Sequence, residues 1–142
     1  MALLFDTDAI SELLRRKPSP TYLKWVRTIP REDQFTSAVC VGELFKGAYR
    51  SSARDHHLKN IKERVLPAIT VLPYDIATAQ VFGKIRAVLE EQGRLLSDAD
   101  LQIAATAIHH GLALVTGNVR HFERIPDLKL NLSFAQARQG LG

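Results

Sequence analysis

Acidic side chains recur where short apolar segments of the sequence end. Asp6 directly follows the apolar run 2–5. Glu43 lies one helical turn beyond the segment 35–39, and Asp100 stands near the start of a later helical pattern. Carboxylates brought close together repel one another, and some take up protons unless they share a cation. The set therefore predicts a metal site.

The available donors restrict which metal such a site can take. Cys40 is the only cysteine, so neither an internal disulfide nor a multi-thiolate zinc site is possible. The five histidines include two adjacent pairs, whose rings point in different directions on a helix, and we expect all five at the surface. Oxygen donors select a hard ion such as Mg²⁺ or Mn²⁺, which holds phosphates and activates water. The predicted chemistry is therefore hydrolysis of a phosphodiester.

Each of these positions also admits a purely structural role. Helix starts favour acidic residues, so Asp6, Asp98 and Asp100 could serve only as caps or as partners of helix dipoles. Asp100 lies three residues after Ser97, which is the spacing of a capping box, and Asp8 is the better cap of the first helix. A carboxylate directly at the end of an all-apolar strand is costly to bury, which favours a functional role for Asp6.

A further apolar segment, 112–116, ends in Thr116 and is followed by Gly117 and Asn118. Asn118 can belong to the same site, or it can be an ordinary turn residue. Glu43 has a comparable alternative as an acid in the first turn of a helix. No single position decides between chemistry and structure, so the prediction rests on the set.

The order of the apolar segments predicts the frame that brings these side chains together. Short apolar runs alternate with helical patterns, and parallel crossovers between such strands build a sheet with helices on both faces. We therefore expect an α/β fold with three layers, α/β/α, around a parallel sheet of about five strands, at 2–5, 35–39, 69–72, 112–116 and 128–132. In such sheets the ligand crevice lies beyond the carboxyl ends of the strands, where the acidic residues stand.

The helical patterns carry their own start and stop residues. Asp75 is expected to cap a long helix that Gly93 ends, and Ser97 to open another that Gly111 ends. Further helical segments are predicted around 10–14, 22–28, 43–48 and 55–65.

Length and composition bound the class of protein. A chain of 142 residues corresponds to a single domain, 1–142, and its 46% hydrophobic and 24% charged content exclude a disordered chain and a fibrous repeat. The apolar run 2–5 is far too short for a signal peptide or a membrane-spanning helix. A lone cysteine suits a reducing compartment, so we expect a cytoplasmic protein without a membrane partner.

Positive charge is concentrated in one stretch of the chain. The segment 44–64 holds six basic residues against two acids, so it carries the whole formal excess of +4. Lys46, Arg50 and Arg54 are spaced by four and would share one face of a continuous helix, which suits the tracking of a nucleic-acid backbone. The alternative is an ordinary solvated helix face.

Four segments, taken in order, resemble the motifs of the PIN-domain ribonucleases, in particular the VapC-like toxins of toxin-antitoxin modules. They are LFDTDAISEL at 4–13, SAVCVGELFKGA at 37–48, SDADLQIAA at 97–105 and LVTGNVRHF at 114–122. Each segment alone is weak evidence for the family, whereas the four segments in the correct order are specific for it. The resemblance implies a PIN-like fold for a single nuclease domain over 1–142.

The resemblance also implies roles for individual residues. Asp6, Glu43 and Asp100 match the three near-invariant acids of the family. In the family the third acid directly precedes the pattern Leu-x-Ile-Ala-Ala, which here follows Asp100. The resemblance therefore assigns the third acid to Asp100 and a supporting role to Asp98. Asn118 falls where many relatives have a fourth acid and others have Asn. The implied arrangement has Asp6 and Asp100 on the metal, Glu43 completing the shell or positioning water, and Asn118 holding a ligand or the scissile phosphate.

Further implied features concern the surroundings of the site. The hydroxyls of Thr7, Ser37 and Thr116 would lie at the same edge and orient ligands or water. Asp8 stands where the family commonly has Asn, so its role stays open between a cap and an added charge. The family implies one or two Mg²⁺ or Mn²⁺ ions, hydrolytic cleavage of RNA, a homodimer, and a cognate antitoxin whose tail covers the active-site groove.

Two other functions remain open at this point. The segment Phe5-Asp6-Thr7-Asp8 also fits the Asp-x-Asp of haloacid-dehalogenase-like phosphatases, in which Asp6 would be the nucleophile and Asp8 the general acid/base. That family needs a later lysine, and no convincing lysine follows a strand here. The second alternative is a non-catalytic PIN-like binding module, against which the presence of all three acids argues.

Overall fold

The computed structural model describes residues 1–140 and contains a five-stranded sheet whose strands all run parallel. The strands, in the spatial order β3-β2-β1-β4-β5, are β1 (Leu3–Phe5), β2 (Gln34–Ser37), β3 (Thr70–Leu72), β4 (Ala113–Val115) and β5 (Leu130–Asn131). β1 is central, because Leu3 pairs with Gln34 of β2 and with Ala113 of β4. The predicted α/β class and the parallel sheet are confirmed.

Helices connect and cover the strands. They are α1 (Thr7–Leu14), α2 (Pro20–Val26), α3 (Ala38–Arg50), α4 (Arg54–Asn60), α5 (Ile76–Glu91), α6 (Asp98–His109), α7 (Val119–Phe122) and α8 (Ser133–Arg138). Between α4 and β3 the chain forms a π-helical turn, Ile61–Val65, and a 3-10 turn, Leu66–Ala68. Within residues 1–140, no helix is both long and apolar enough to cross a membrane.

Two buried clusters, one on each face of the sheet, form the core. Successive side chains of a strand point to opposite faces. Leu4 accordingly packs in the cluster of α5 and α6, whereas Leu3 and Phe5 pack in the cluster of α1, α2 and α8. A strand that is buried on both faces needs an apolar residue at every position. All the residues of β1 are accordingly apolar. The three-layer arrangement is thereby confirmed.

Helix starts and ends follow several of the predicted residues. The side chains of Asp75 and Ser97 accept hydrogen bonds from the backbone N–H three residues on, at 2.9 and 3.2 Å, and so cap α5 and α6. Gly93 and Gly111 adopt φ values of 67° and 66°, the left-handed conformation in which these helices end.

The second strand and the basic segment differ from their predictions. β2 ends at Ser37 rather than at residue 39, because the Ser37 hydroxyl accepts a hydrogen bond from Cys40 N at 3.0 Å and caps α3. α3 ends at Arg50 and α4 begins at Arg54. The single helix that would align Lys46, Arg50 and Arg54 is therefore absent from this part of the described chain.

Candidate active site

A cleft of about 360 Å³ opens at the carboxyl ends of β1 and β4. Its walls come from the start of α1, from α3, from the first turns of α6 and from α7. The side chains that line it are Asp6, Thr7, Asp8, Ser11, Glu43, Asp100, Ile103, Asn118, His121 and Phe122. The fold thus brings the three predicted acids, Asn118 and Thr7 together at the sheet edge where parallel strands present their ligands.

Asp6 is the most buried polar residue of the cleft and has two functions at once. It is 6% exposed, and its Oδ1 accepts a hydrogen bond from Ala9 N at 2.8 Å, so Asp6 caps α1. The prediction that Asp8 caps this helix is wrong, because Asp6 occupies the position that precedes the first helical residue. The structural and the chemical interpretations of Asp6 are therefore compatible.

The electrostatics of Asp6 favour a nearby cation. Burial raises the pKa of its carboxyl from 3.8 to about 6, although hydrogen bonds from the Thr116 side chain and from Ala9 N–H lower it. The negative charges of Asp8 and Asp100 also contribute to this net rise in the pKa. An ionised Asp6 in this cleft is thus costly, and a bound cation would offset that cost.

Glu43 reaches the cleft from α3 and is held by α1. The Thr7 hydroxyl donates a hydrogen bond to Glu43 Oε1 at 2.5 Å. Thr7 is the first residue of α1 and Glu43 lies near the middle of α3, so this bond joins the two helices at the cleft. The predicted supporting position of Thr7 agrees with this contact.

Asp100 contacts a residue that the sequence did not single out. Its Oδ2 lies 2.7 Å from His121 Nε2, and both side chains are 29% exposed. His121 lies in the four-residue helix α7, three positions after Asn118. The expectation that all five histidines are surface residues does not hold for His121, which is half-buried and lines the cleft. The motif LVTGNVRHF includes this histidine, which was the one available indication.

Thr116 and Ser37 support the site from below the cleft. Thr116 is fully buried, its Oγ1 accepts a hydrogen bond from Asn118 N at 3.0 Å, and its side chain lowers the pKa of Asp6. Ser37 is buried as well, but its hydroxyl is used by Cys40 at the start of α3. Thr116 therefore links two of the predicted residues, whereas Ser37 shapes the local backbone.

Asp98 lies apart from the other acids. It forms an ion pair with Arg86 of α5, and its side chain is 63% exposed. Asp98 is the first residue of α6 and Asp100 the third, so the two side chains leave the helix in different directions. Asp98 is not among the residues that line the cleft, so the geometry does not favour its predicted supporting role.

The basic residues near the cleft fall into two groups. Lys46 and Arg50 are exposed on α3 at a spacing of four, which keeps them on one face. Arg54 instead turns back onto the end of α3, where its guanidinium donates to the Tyr49 carbonyl at 3.0 and 3.3 Å. The predicted stripe of three basic residues is thus reduced to Lys46 and Arg50.

The donors in the cleft suit a hard divalent cation. Carboxylate and amide oxygens are the ligands that Mg²⁺ and Mn²⁺ prefer. Among the described residues, no three His, Cys, Asp or Glu side chains are grouped closely enough to hold a metal ion. The Glu43 and Asp100 carboxylates are held by Thr7 and His121 instead. The residues fit the cation by type and by their shared cleft, and binding would have to draw the carboxylates together.

The parallel sheet and the acidic cleft at its carboxyl edge define an α/β protein with a carboxylate-based site. Residues 3–128 match the family model of the PIN domain. The chain therefore belongs to the PIN domain family.

Known proteins similar to this chain agree with that assignment. Ribonuclease VapC2 of Haemophilus influenzae is 32% identical over 126 residues, which cover 89% of this chain and 93% of that protein. Toxin FitB of Neisseria gonorrhoeae is 30% identical over 125 residues, covering 84% and 90%. The crystal structure of FitAcB from Neisseria gonorrhoeae superposes with a TM-score of 0.85 at 28% identity, covering 93% of this chain and 98% of that one.

Proposed function

We propose that this protein is a divalent-metal-dependent endoribonuclease and the toxin of a type II toxin-antitoxin pair. The observation that carries the proposal is the convergence of Asp6, Glu43 and Asp100 in one cleft of a PIN domain. The ribonuclease and toxin names of similar proteins support it. Residues 1–142 would form the single nuclease domain.

The proposed chemistry assigns each cleft residue a task. Asp6 and Asp100 hold the cation, and Glu43 completes its shell or positions water. When bound, Mg²⁺ or Mn²⁺ would supply positive charge to offset the negative charge of the phosphodiester and would lower the pKa of a coordinated water. The Asn118 side chain binds a ligand or the scissile phosphate, and hydrolysis leaves a 5′-phosphate and a 3′-hydroxyl.

RNA binding outside the cleft would use positive charge on α3. Lys46 and Arg50 are exposed and lie on the helix that carries Glu43. Their ammonium and guanidinium groups would contact phosphates on the strand that enters the cleft. Arg54 contributes less, because its guanidinium is bound to the Tyr49 carbonyl.

The proposal includes two protein partners. A toxin of this kind would be held inactive by a cognate antitoxin whose tail covers the cleft, and it would form a homodimer. The toxin name of FitB and the FitAcB structure support the antitoxin.

The phosphatase alternative is disfavoured by the position of Asp6. A nucleophilic aspartate needs a free carboxylate, but Asp6 is almost fully buried and caps α1. The described residues that line the cleft also include no lysine. Detection of a covalent aspartyl-phosphate at Asp6 would nevertheless support the phosphatase function.

Cleavage of end-labelled structured RNA tests the proposal. Wild type is incubated with Mn²⁺ or with chelator, beside Asp6→Asn and Asp100→Asn proteins purified identically to control for contaminating ribonuclease. We expect metal-dependent cutting by wild type alone. Equal cutting by all three proteins would assign the activity to a contaminant. No cutting of transfer, ribosomal or messenger RNA by wild type would contradict the proposal and favour the binding module.

A further inference from the structure

The rim of the cleft carries an ion pair between the two ends of the chain. Asp8, in the first turn of α1, lines the cleft beside Asp6. Both of its carboxylate oxygens accept hydrogen bonds from Arg138, the last residue of α8, with Nη1–Oδ2 at 2.6 Å and Nη2–Oδ1 at 3.1 Å. Such a two-pronged contact fixes the carboxylate in position and orientation as well as in charge.

The surroundings of Arg138 are shaped to keep it there. A Cβ at Gly117 would lie 2.2 Å from Arg138 Nη1 and 3.1 Å from Asp8 Oδ2, so a larger residue at position 117 would displace the guanidinium from its present position. On another side the guanidinium carbon lies 4.6 Å from the centre of the Phe134 ring. Phe134 is fully buried and packs on Tyr22 with ring centres 4.4 Å apart. Arg138 is therefore held by the α8 core and by the turn after β4.

This contact changes the number of carboxylates that the cleft can offer a cation. Asp6, Asp8, Glu43 and Asp100 all line the cleft, but only Asp8 has both oxygens bound to a fixed positive charge. Thr7 and His121, which hold Glu43 and Asp100, each contact one oxygen of their partner. Asp8 is thus the least available of the four as a ligand.

We propose that Arg138 is a positioning residue that keeps Asp8 out of the metal-ligand set. The cation is then held by Asp6, Glu43 and Asp100, and Asp8 anchors α8 at the cleft rim. This inference rests on the proposed function, because it presupposes a cation in the cleft. The ion pair also explains why position 8 is an aspartate: its negative charge is paired with the positive charge of Arg138, 130 residues further along the chain.

Mn²⁺ titration by calorimetry of the full-length chain, with the melting temperature measured in chelator, tests the inference. Arg138→Gln should bind Mn²⁺ about tenfold more tightly than wild type, because it releases a fourth carboxylate, and affinity follows ligand charge. The double variant Asp8→Asn/Arg138→Gln should return to the wild-type affinity, since no carboxylate remains to be released. If Arg138→Gln lowers the melting temperature but leaves the Mn²⁺ affinity unchanged, Arg138 only fastens α8 and the inference is overturned.

Arg138→Lys separates the effect of the two hydrogen bonds to Asp8 from the effect of the charge at position 138. Lysine keeps the positive charge but cannot hold both oxygens in the planar fork of arginine. We expect Arg138→Lys to bind Mn²⁺ more tightly than wild type, whereas unchanged affinity would mean that charge alone acts and would overturn the inference. Asp100→Asn serves as the reference for the proposed function. If wild type binds Mn²⁺ no better than Asp100→Asn, both the function and the inference fail; otherwise the Arg138 variants decide the inference alone.

Discussion

At the scale of residues, Asp6 combines two demands that usually compete. As a cap it needs only an oxygen acceptor for Ala9 N, and asparagine would serve equally well. As a carboxylate it is buried beside two other negative charges, which is unfavourable unless a cation is bound. The choice of aspartate over asparagine is therefore explained by chemistry rather than by helix stability.

Asp6→Asn should raise the stability of the metal-free protein at neutral pH. The folded-state pKa of about 6 lies above the ordinary 3.8, so folding favours the protonated form and the folded state loses stability as pH rises from 3.8 through 6. At pH 7.5 we expect the variant to be more stable by about 3 kcal/mol, and the difference to fall below about 1 kcal/mol near pH 4. Urea denaturation in chelator at pH 4 and 7.5 measures this.

The exposed Asp98 provides the matched control for that change. Asp98→Asn should show no comparable gain in stability at pH 7.5, because its carboxylate is largely solvated. An Asp6→Asn protein less stable than wild type at pH 7.5 would show that the hydrogen bonds to Asp6 outweigh the cost of its burial.

His121→Ala should reduce the rate of RNA cleavage. The ring contacts Asp100 Oδ2 at 2.7 Å, and loss of an orienting partner of a metal ligand costs about 10- to 100-fold in affinity or activity. The rate of cleavage at saturating Mn²⁺ and RNA is the measurement. His110→Ala removes an exposed ring after α6 and should leave the rate unchanged. Equal rates for His121→Ala and wild type would mean that the contact has no functional role.

The site residues differ in how far the sequence could predict them. Asp6, Glu43 and Asp100 were identifiable as a set, because each lies at or within about one helical turn of the boundary of a predicted segment, and the family resemblance selected Asp100 over Asp98. His121 was not, because the four residues of α7 are too few to show a helical repeat. The ion pair between Asp98 and Arg86 was not predictable either, since Arg86 belongs to another helix.

At the scale of elements, the break between α3 and α4 decides which basic residues can act together. Lys46→Gln/Arg50→Gln should weaken RNA binding and lower the slope of log K against log salt by about 1.4, since each phosphate contact to single-stranded RNA contributes about 0.7. Arg54→Gln should change the slope less, because Arg54 is bound to the Tyr49 carbonyl. Binding measured in chelator over a range of KCl avoids cleavage. An unchanged slope in the double variant would exclude this surface as the RNA path.

The elements with strong periodic patterns were predictable, and the short ones were not. β1 and β4 are apolar throughout, and α5 and α6 have capping residues at their starts, so sequence alone located them. The helix predicted over 55–65 is divided into α4 and a π-helical turn, and the six-residue α8 has no repeat to reveal it. Local hydrogen bonding and packing, which periodicity does not encode, set these boundaries.

At the scale of the whole molecule, α8 joins the C-terminal part of the chain to the layer of α1 and α2. Its Phe134 ring is fully buried against Tyr22, whose hydroxyl donates to Ala9 O of α1 at 2.9 Å. Through Arg138 the same helix reaches Asp8 at the cleft. The stability of the fold and the geometry of the site therefore depend on one short helix.

Phe134→Ala should destabilise the protein by about 3–5 kcal/mol, the usual cost of removing a fully buried aromatic ring. Urea denaturation followed by circular dichroism measures the change. Tyr49→Ala is the control, because that ring is 54% exposed and its loss should cost little. A cost below about 1 kcal/mol for Phe134→Ala would show that α8 is dispensable for the fold.

The most direct test of the nuclease site compares two aspartates in the same turn of α6. Asp100→Asn and Asp98→Asn make the same chemical change two positions apart, but only Asp100 lines the cleft. The measurement is the single-turnover rate of RNA cleavage in Mn²⁺. We expect a loss of more than about 100-fold for Asp100→Asn and a near-wild-type rate for Asp98→Asn. Equal rates for the two variants, whether both active or both inactive, would contradict this expectation.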